Sequence, residues 1–356
     1  MAVSFRRDDA IEYLQHTMAG HKAVGLVGQL EFGRWARSHR QVENKYFPGC
    51  WVVASRETDF FAYRTCFFVH PIISRPGDVP SIAGKLEGSP GFQRMCSTLN
   101  ASGLSVVYCF ATSETPPRTD SVAWEFYGYS REKLTRLDEK KYFGLWEGRG
   151  RKSNPREWRE EQEKLVGGLD DSSLTALVLP ELFYNGFFKG VYRAGTADPY
   201  DTDGFMISYG GRFFPIELKQ KSPFQHGTAG EAIGLDSGRI LMMLRISLPL
   251  NANGFYIVRL VDDSPDRAFR DWKVIRLDEF LMKCSWNVQG GGPGMASSAG
   301  GAGSTTSTVI VPLSAFRSLD EDEFSEEYLN EHAEMGRSAL KIAREFIEGS
   351  RSKYGF

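Results

Sequence analysis

Asp203, Glu217 and Lys219 lie in the stretch Asp201 to Lys221, which reads DTDGFMISYGGRFFPIELKQK. Glu217 and Lys219 are two residues apart in an apolar run. On a strand they therefore share one face, and Ile216 and Leu218 share the other. Asp203 stands just before the apolar run Phe205-Met206-Ile207, and Tyr209-Gly210-Gly211-Arg212 separates the two runs. Paired glycines between short β-prone runs signal a hairpin, because tight turns need positive φ. The pattern predicts a carboxylate and an ammonium side by side on one strand, with a second carboxylate on its partner. Two carboxylates a few ångströms apart repel unless a cation sits between them, and Mg²⁺ takes oxygen ligands of this kind. A neighbouring lysine can orient or deprotonate a water on such a cation and offset charge at a phosphorus under attack.

The chemistry sets a condition on the turn. A two-residue loop at Gly210-Gly211 would pair Asp203 with Leu218 and point it away from Glu217. A three-residue loop from Gly210 to Arg212 would pair it with Lys219 and bring it to the Glu217 face. A slip of one residue inverts every side chain. The turn must hold an odd number of loop residues, or the strand a bulge, for which Gly204 is a suitable position.

The pattern D-x13-E-x-K resembles the PD-(D/E)XK nuclease superfamily, the restriction-endonuclease-like fold. The resemblance covers residues 172 to 260 at the level of the motif, and Asp203, Glu217 and Lys219 residue by residue. Pro199 precedes the acidic cluster without adjoining the matching aspartate, a departure from the family pattern. The resemblance implies an α/β core with a mixed central sheet flanked by helices, and a Mg²⁺-dependent DNA endonuclease of the restriction or phage-defence kind. Asp203 and Glu217 would hold the metal together with the Leu218 carbonyl, and Lys219 would orient the attacking water. A helix before the hairpin sometimes adds a glutamate in this fold, and Glu181 stands where that residue can be. Double-stranded DNA is the implied partner, and by analogy a two-fold dimer would make two nearby strand cuts. A repair or recombination nuclease, or a DNA-binding protein that keeps the fold without cleavage, are the alternatives. The sequence has no aromatic-rich RNA motif to favour an RNA-directed role.

The elements that must position these residues fall into two regions. At 356 residues the chain is long enough for two domains, and 41% apolar with 13% aromatic residues can fill two cores. Residues 1–165 read as an α+β domain suited to DNA recognition or partner binding. It begins with a helix over residues 1–20 and continues through β-prone runs at Cys50 to Val53, Tyr63 to Val69, Val106 to Phe110 and Val122 to Tyr127. Residues 166–356 read as the nuclease domain. Asp170-Asp171-Ser172-Ser173 predicts a helix cap, Pro180 suits a first helical position, and Asp236-Ser237 predicts a second cap ahead of a core helix ending near Leu248. Arg239, three residues past Asp236, suggests a local ion pair. Strands are expected at Phe255 to Val261, Trp272 to Ile275 and Val309 to Leu313, with a terminal amphipathic helix from Glu326 to Ile347. Residues 289–308 are low-complexity Gly/Ser/Ala/Thr and predict a flexible loop. No Gly-Lys-Ser/Thr closes it, which argues against ATP hydrolysis. His226 lies in a polar loop after Lys221, where a lone histidine is more often structural than catalytic.

Charge and cysteine usage narrow the setting. From Asp320 to Glu334 there are eight acidic residues and no Lys or Arg; set against a net of −2, they leave +6 on the rest of the chain. A like-charged block of this kind reads as a solvated surface away from nucleic acid. Arg149, Arg151 and Lys152 form a glycine-punctuated basic stretch. It reads equally as an exposed linker and as a backbone that approaches phosphates, and Lys221 adds a cation beside the hairpin site. Five cysteines at 50, 66, 96, 109 and 284 show no C-x-x-C spacing, which argues against zinc and for a reducing, cytoplasmic setting. No run of eighteen apolar residues suggests a membrane span, and the charged N-terminal stretch does not read as a leader.

Overall fold

The computed structural model describes residues 3–39, 46–54, 63–138, 158–191, 200–208, 211–227, 230–264, 267–290, 307–319 and 325–354. Arg149, Arg151, Lys152, Pro199 and most of the Gly/Ser stretch lie outside them. The chain is mixed α/β and divides into two compact units. One comprises Met1–Arg37 and Pro48–Thr202, the other Ser38–Phe47 and Asp203–Phe356. The boundary thus falls between Thr202 and Asp203, later than the position near residue 165 that the sequence suggests.

Within the first unit the elements are α1 (Arg7–Thr17), α2 (Gly20–Ser38), β1 (Tyr46–Ala54), β2 (Tyr63–Ser74), α3 (Val79–Glu87), α4 (Pro90–Ala101), β3 (Ser105–Thr112), β4 (Ala123–Ser130), β5 (Lys133–Arg136), α5 (Glu160–Gly167) and α6 (Asp171–Phe183). Its strands run in the order β1-β2-β3-β4-β5, parallel between β2 and β3 and antiparallel elsewhere. The reason residues 166–202 belong here is visible in the packing. Leu174, Leu177, Val178 and Leu179 of α6 share one buried cluster with Ala10 and Leu14 of α1 and Ile73 of β2. Asp170 caps α6 as predicted, its carboxylate accepting from the Ser173 N–H at 2.8 Å. Pro180 is not at a first helical position: α6 runs through it, and the chain then widens into a π-helical segment over Tyr184–Val191. A proline inside a helix removes one donor, and the rare π turns are found mostly as local widenings of α-helices.

The second unit holds β6 (Tyr200–Ile207) from Asp203 onward, β7 (Phe213–Lys221), β8 (Phe224–Gln225), β9 (Glu231–Asp236), α7 (Ser237–Ser247), β10 (Phe255–Val261), β11 (Phe269–Arg276), α8 (Leu277–Lys283), β12 (Ser285–Gly290), β13 (Ser307–Pro312), β14 (Arg317–Ser318), α9 (Glu326–Glu331) and α10 (Arg337–Tyr354). Its larger sheet runs β14-β11-β10-β7-β6 and is mixed, because β7 and β10 pair in parallel while the other pairs are antiparallel. A smaller sheet runs β12-β13-β9-β8. Asp236 caps α7 by accepting from the Gly238 N–H at 2.8 Å. Ile240, Met243 and Leu244 then recur at helical spacing and pack on Tyr256, Val258 and Leu260 of β10. Each such buried side chain contributes roughly 1.5–3 kcal/mol, which is what holds α7 across the sheet. The single terminal helix expected from Glu326 is broken into α9 and α10.

All five cysteines are free and buried. Among the described residues, no helix is long and apolar enough to cross a membrane.

Candidate functional site

The hairpin β6–β7 sets the site. Gly204 pairs with Ile216, Phe205 with Pro215, Met206 with Phe214 and Ile207 with Phe213. The turn is closed one step further on, where the Ser208 N–H donates to the Arg212 carbonyl at 2.9 Å and the Arg212 N–H to the Ser208 Oγ at 3.1 Å. Three residues, Tyr209 to Gly211, therefore lie between the closing pair. The odd count that the chemistry requires is present, shifted by one position from Gly210–Arg212. Gly211 has φ +84°, a conformation that favours glycine. Extending the register one residue sets Asp203 directly across from Glu217, so the two carboxylates share a face. Gly204 is in register and not a bulge. A Cβ there would lie 2.7 Å from Tyr46 Cε2, so glycine serves a close approach. Phe205 and Phe213 stack at 4.6 Å on the Asp203–Glu217 face and brace the hairpin behind the carboxylates.

The side chains converge on one point. The Lys219 Nζ lies 2.5 Å from Glu217 Oε1, 3.3 Å from Asp203 Oδ2 and 2.9 Å from the Leu218 carbonyl oxygen. The Leu218 N–H donates to Asp203 Oδ2 at 2.7 Å and fixes that carboxylate against β7. The Glu217 side chain is fully buried and that of Asp203 is 2% exposed, whereas Lys219 keeps 26% of its side chain in solvent. Burial alone would lower the Lys219 pKa, but Asp203 and then Glu217 outweigh it and the net shift is upward. Lys219 is thus held as an ammonium. Arg239, in the first turn of α7, approaches Glu217 Oε1 with its Nε at 3.6 Å. Lys221, two residues beyond Lys219 on the same face, is pushed down first by burial and then by the Lys219 charge.

The three oxygens around the ammonium are those that the motif assigns to a metal: Asp203, Glu217 and the Leu218 carbonyl. An ammonium stands in for a cation of similar preference, and an all-oxygen donor set of this kind suits a hard divalent ion such as Mg²⁺. No group of three or more His, Cys, Asp or Glu side chains among the described residues could hold a metal by itself. A cation here would rest on two carboxylates and a main-chain oxygen.

Other expected residues are placed differently. Glu181 belongs to the first unit, is 4% exposed, and pairs with the Lys22 Nζ at 2.7 Å. It sits late in α6, away from the first helical turn that Pro180 suggested. His226 stands beside Phe224 with ring centroids 6.2 Å apart on the outer strand of the small sheet. Arg239 turns toward Glu217 in addition to lying near its own cap. A sequence signal for this existed: a cation in the first turn opposes the helix dipole, so a nearby anion is needed to justify it. Tyr256, aligned with Glu217 in the β7–β10 ladder, gave no sequence signal, because it reads as one more apolar strand residue.

No family model matches the sequence, and neither the curated proteins nor the solved structures give a match.

Proposed function

We propose that the chain is a Mg²⁺-dependent DNA endonuclease whose second unit is a restriction-endonuclease-like core of the PD-(D/E)XK superfamily, acting in restriction or phage defence. The observation that carries this reading is the convergence of Asp203 Oδ2, Glu217 Oε1 and the Leu218 carbonyl on the Lys219 ammonium. Those four groups are the motif's own, brought to one point by an odd-numbered turn. Asp203, Glu217 and the Leu218 carbonyl would hold the cation. When bound, such an ion supplies Lewis acidity and lowers the pKa of water. Lys219 remains an ammonium and therefore acts by orienting water and offsetting charge on the phosphate, rather than by taking a proton. In the reaction the water oxygen bonds to phosphorus and the bond from phosphorus to the 3′-oxygen breaks. The water proton leaves to solvent, the 3′-oxygen is protonated, and 5′-phosphate and 3′-hydroxyl ends result. Lys221 lies beside this point and suits a neighbouring phosphate, and Arg149, Arg151 and Lys152 suit the duplex backbone. A homodimer would allow both strands to be cut.

Supercoiled plasmid, linear duplex and RNA incubated with and without Mg²⁺ test the reading. Mg²⁺-dependent nicking of DNA is expected. Glu217→Gln should reduce it by more than the roughly 10–100-fold that an outer-shell partner of a metal site typically costs. Absence of cleavage of every DNA form, or wild-type nicking by the variant, would refute it. Cleavage confined to RNA would move the activity to another substrate class.

A further inference from the structure

Tyr256 lies in the middle of the apolar packing of the second unit. It is 1% exposed, and its ring meets Phe280 at 5.9 Å and Phe316 at 6.1 Å, with Ile240, Met243 and Leu244 of α7 in the same cluster. A phenylalanine would fill this volume equally well. The hydroxyl is nonetheless there, buried and without a hydrogen-bond partner among the described residues. Buried hydroxyls without partners are costly and rare in folded proteins, and Tyr ordinarily finds one.

Its position says what the hydroxyl is for. Tyr256 pairs with Glu217 in the parallel β7–β10 ladder, so the two side chains leave the same face of neighbouring strands, about 4.8 Å apart at the backbone. Val258 and Lys219 are the next pair on that face. A tyrosine hydroxyl is neutral at pH 7 and has a proton to donate, and this one leaves the sheet on the face that carries the Glu217 and Asp203 carboxylates.

We propose that the Tyr256 hydroxyl donates to an ordered water held against the Glu217 carboxylate, and that Tyr256 thereby acts as a positioning residue which fixes Glu217 for a divalent cation. The inference rests on the nuclease reading and adds to it a residue outside the motif. Metal ligands are regularly oriented by a second layer of donors, and loss of one such donor typically costs about 10–100-fold in metal affinity or activity.

The test is Tyr256→Phe, which removes one oxygen atom and leaves the packing on Phe280 and Phe316. Mn²⁺ binding to wild type and variant is measured by titration calorimetry on the full chain, alongside Mg²⁺-dependent plasmid nicking and the metal-free thermal midpoint. Mn²⁺ affinity is expected to fall about tenfold, with kcat falling and KM for DNA unchanged. The metal-free midpoint should stay equal or rise. Equal Mn²⁺ affinity in the two proteins overturns the role of Tyr256 and leaves the nuclease reading standing. A lower metal-free midpoint accompanying the affinity loss overturns it too, because the hydroxyl would then be structural. Wild type that binds no Mn²⁺ overturns the metal site itself.

Discussion

Replacing Lys219 by methionine removes the ammonium while keeping most of the side-chain volume. What remains is Glu217, fully buried, facing Asp203, whose side chain is 2% exposed, with the Arg239 Nε 3.6 Å from Glu217 Oε1. Removing one member of a buried ion pair generally costs about 3–5 kcal/mol, since the partner is left in a low-dielectric site without compensation. The value belongs near the lower end here because Arg239 stays in place and Lys219 is 26% exposed. For a unit of this size each kcal/mol moves the midpoint by roughly 2–4 °C, so the transition of the second unit should drop by about 6–12 °C in metal-free buffer.

The same variant then reports on the cation. Under the proposed reading, a divalent ion entering the wild type must displace the ammonium from the oxygens it occupies; in Lys219→Met those oxygens are already released. Mg²⁺ at a hundred times its Kd adds about 2.7 kcal/mol of stability. The variant should therefore recover more of its midpoint on Mg²⁺ addition than the wild type gains, while remaining inactive. Differential scanning calorimetry of both proteins with EDTA and with Mg²⁺ measures this. Lys273→Met serves as the control, because Lys273 pairs with Asp271 at 2.9 Å outside the site. A variant as stable as wild type in EDTA would mean that the ammonium does not hold the carboxylates together. A destabilised variant that Mg²⁺ does not rescue would mean that the three oxygens do not receive a cation.

His70, in the first unit, has both ring nitrogens buried without a hydrogen bond among the described residues and packs beside Tyr108 and Phe110, and burial lowers its pKa to about 4. Its folded pKa lies below the ordinary value of about 6.5, so the unfolded chain binds the extra proton; stability is full above 6.5 and is lost as pH falls toward 4, by roughly 3 kcal/mol in all. His70→Phe should flatten urea-derived stability across that window, and an unchanged pH profile would refute the assignment. Neutralising Arg149, Arg151 and Lys152 together should weaken binding to every duplex and flatten the slope of log K against log salt by up to about 0.9 per contact. Neutralising Asp320 to Glu323 should leave that slope unchanged, and the opposite pattern would place the DNA against the acidic segment.

The hairpin was legible because its signals are local. Alternation put Glu217 and Lys219 on one face, and the glycine pair marked the turn. Which three residues form the loop was not legible, since the Ser208 Oγ that accepts from the Arg212 N–H decides it and a glycine pair allows either placement. Helix α2 was missed for a physical reason. Gly20, Gly25, Gly28 and Gly33 depress its propensity, and the helix is held by burial of Val27 and Phe32 instead. A Cβ at position 20 would meet the end of the Gln162 side chain, which would have to turn aside. Pro180 misled for the converse reason: a strong local rule yielded to the packing of α6 in its core. Arg239 and Tyr256 depend on the β7–β10 register and the crossing of α7, which no spacing within the sequence encodes.

The energetic standing of the cluster bears on its meaning. Asp203, Glu217 and Lys219 on β6 and β7, with Arg239 on α7, place four charges at the margin of an apolar core that includes Phe205, Phe213, Phe214, Ile216 and Leu218. Desolvating such charges offsets most of their attraction, and well-packed apolar residues in their place are often neutral or stabilising. Stability therefore does not explain them. Neither does solubility, because Glu217 and Asp203 do not reach the surface. The turn is built with an odd loop that brings Asp203 to the Glu217 face, Gly204 gives up its side chain so that Tyr46 can approach, and Tyr256 carries a hydroxyl where a bare ring would pack as well. Each is a local cost, and all three features lie on the β6–β7 hairpin or on the strand paired with it. A cation site that must be emptied of its own ammonium before use accounts for them together, and the Lys219→Met measurement is the one that separates it from an inert ion cluster.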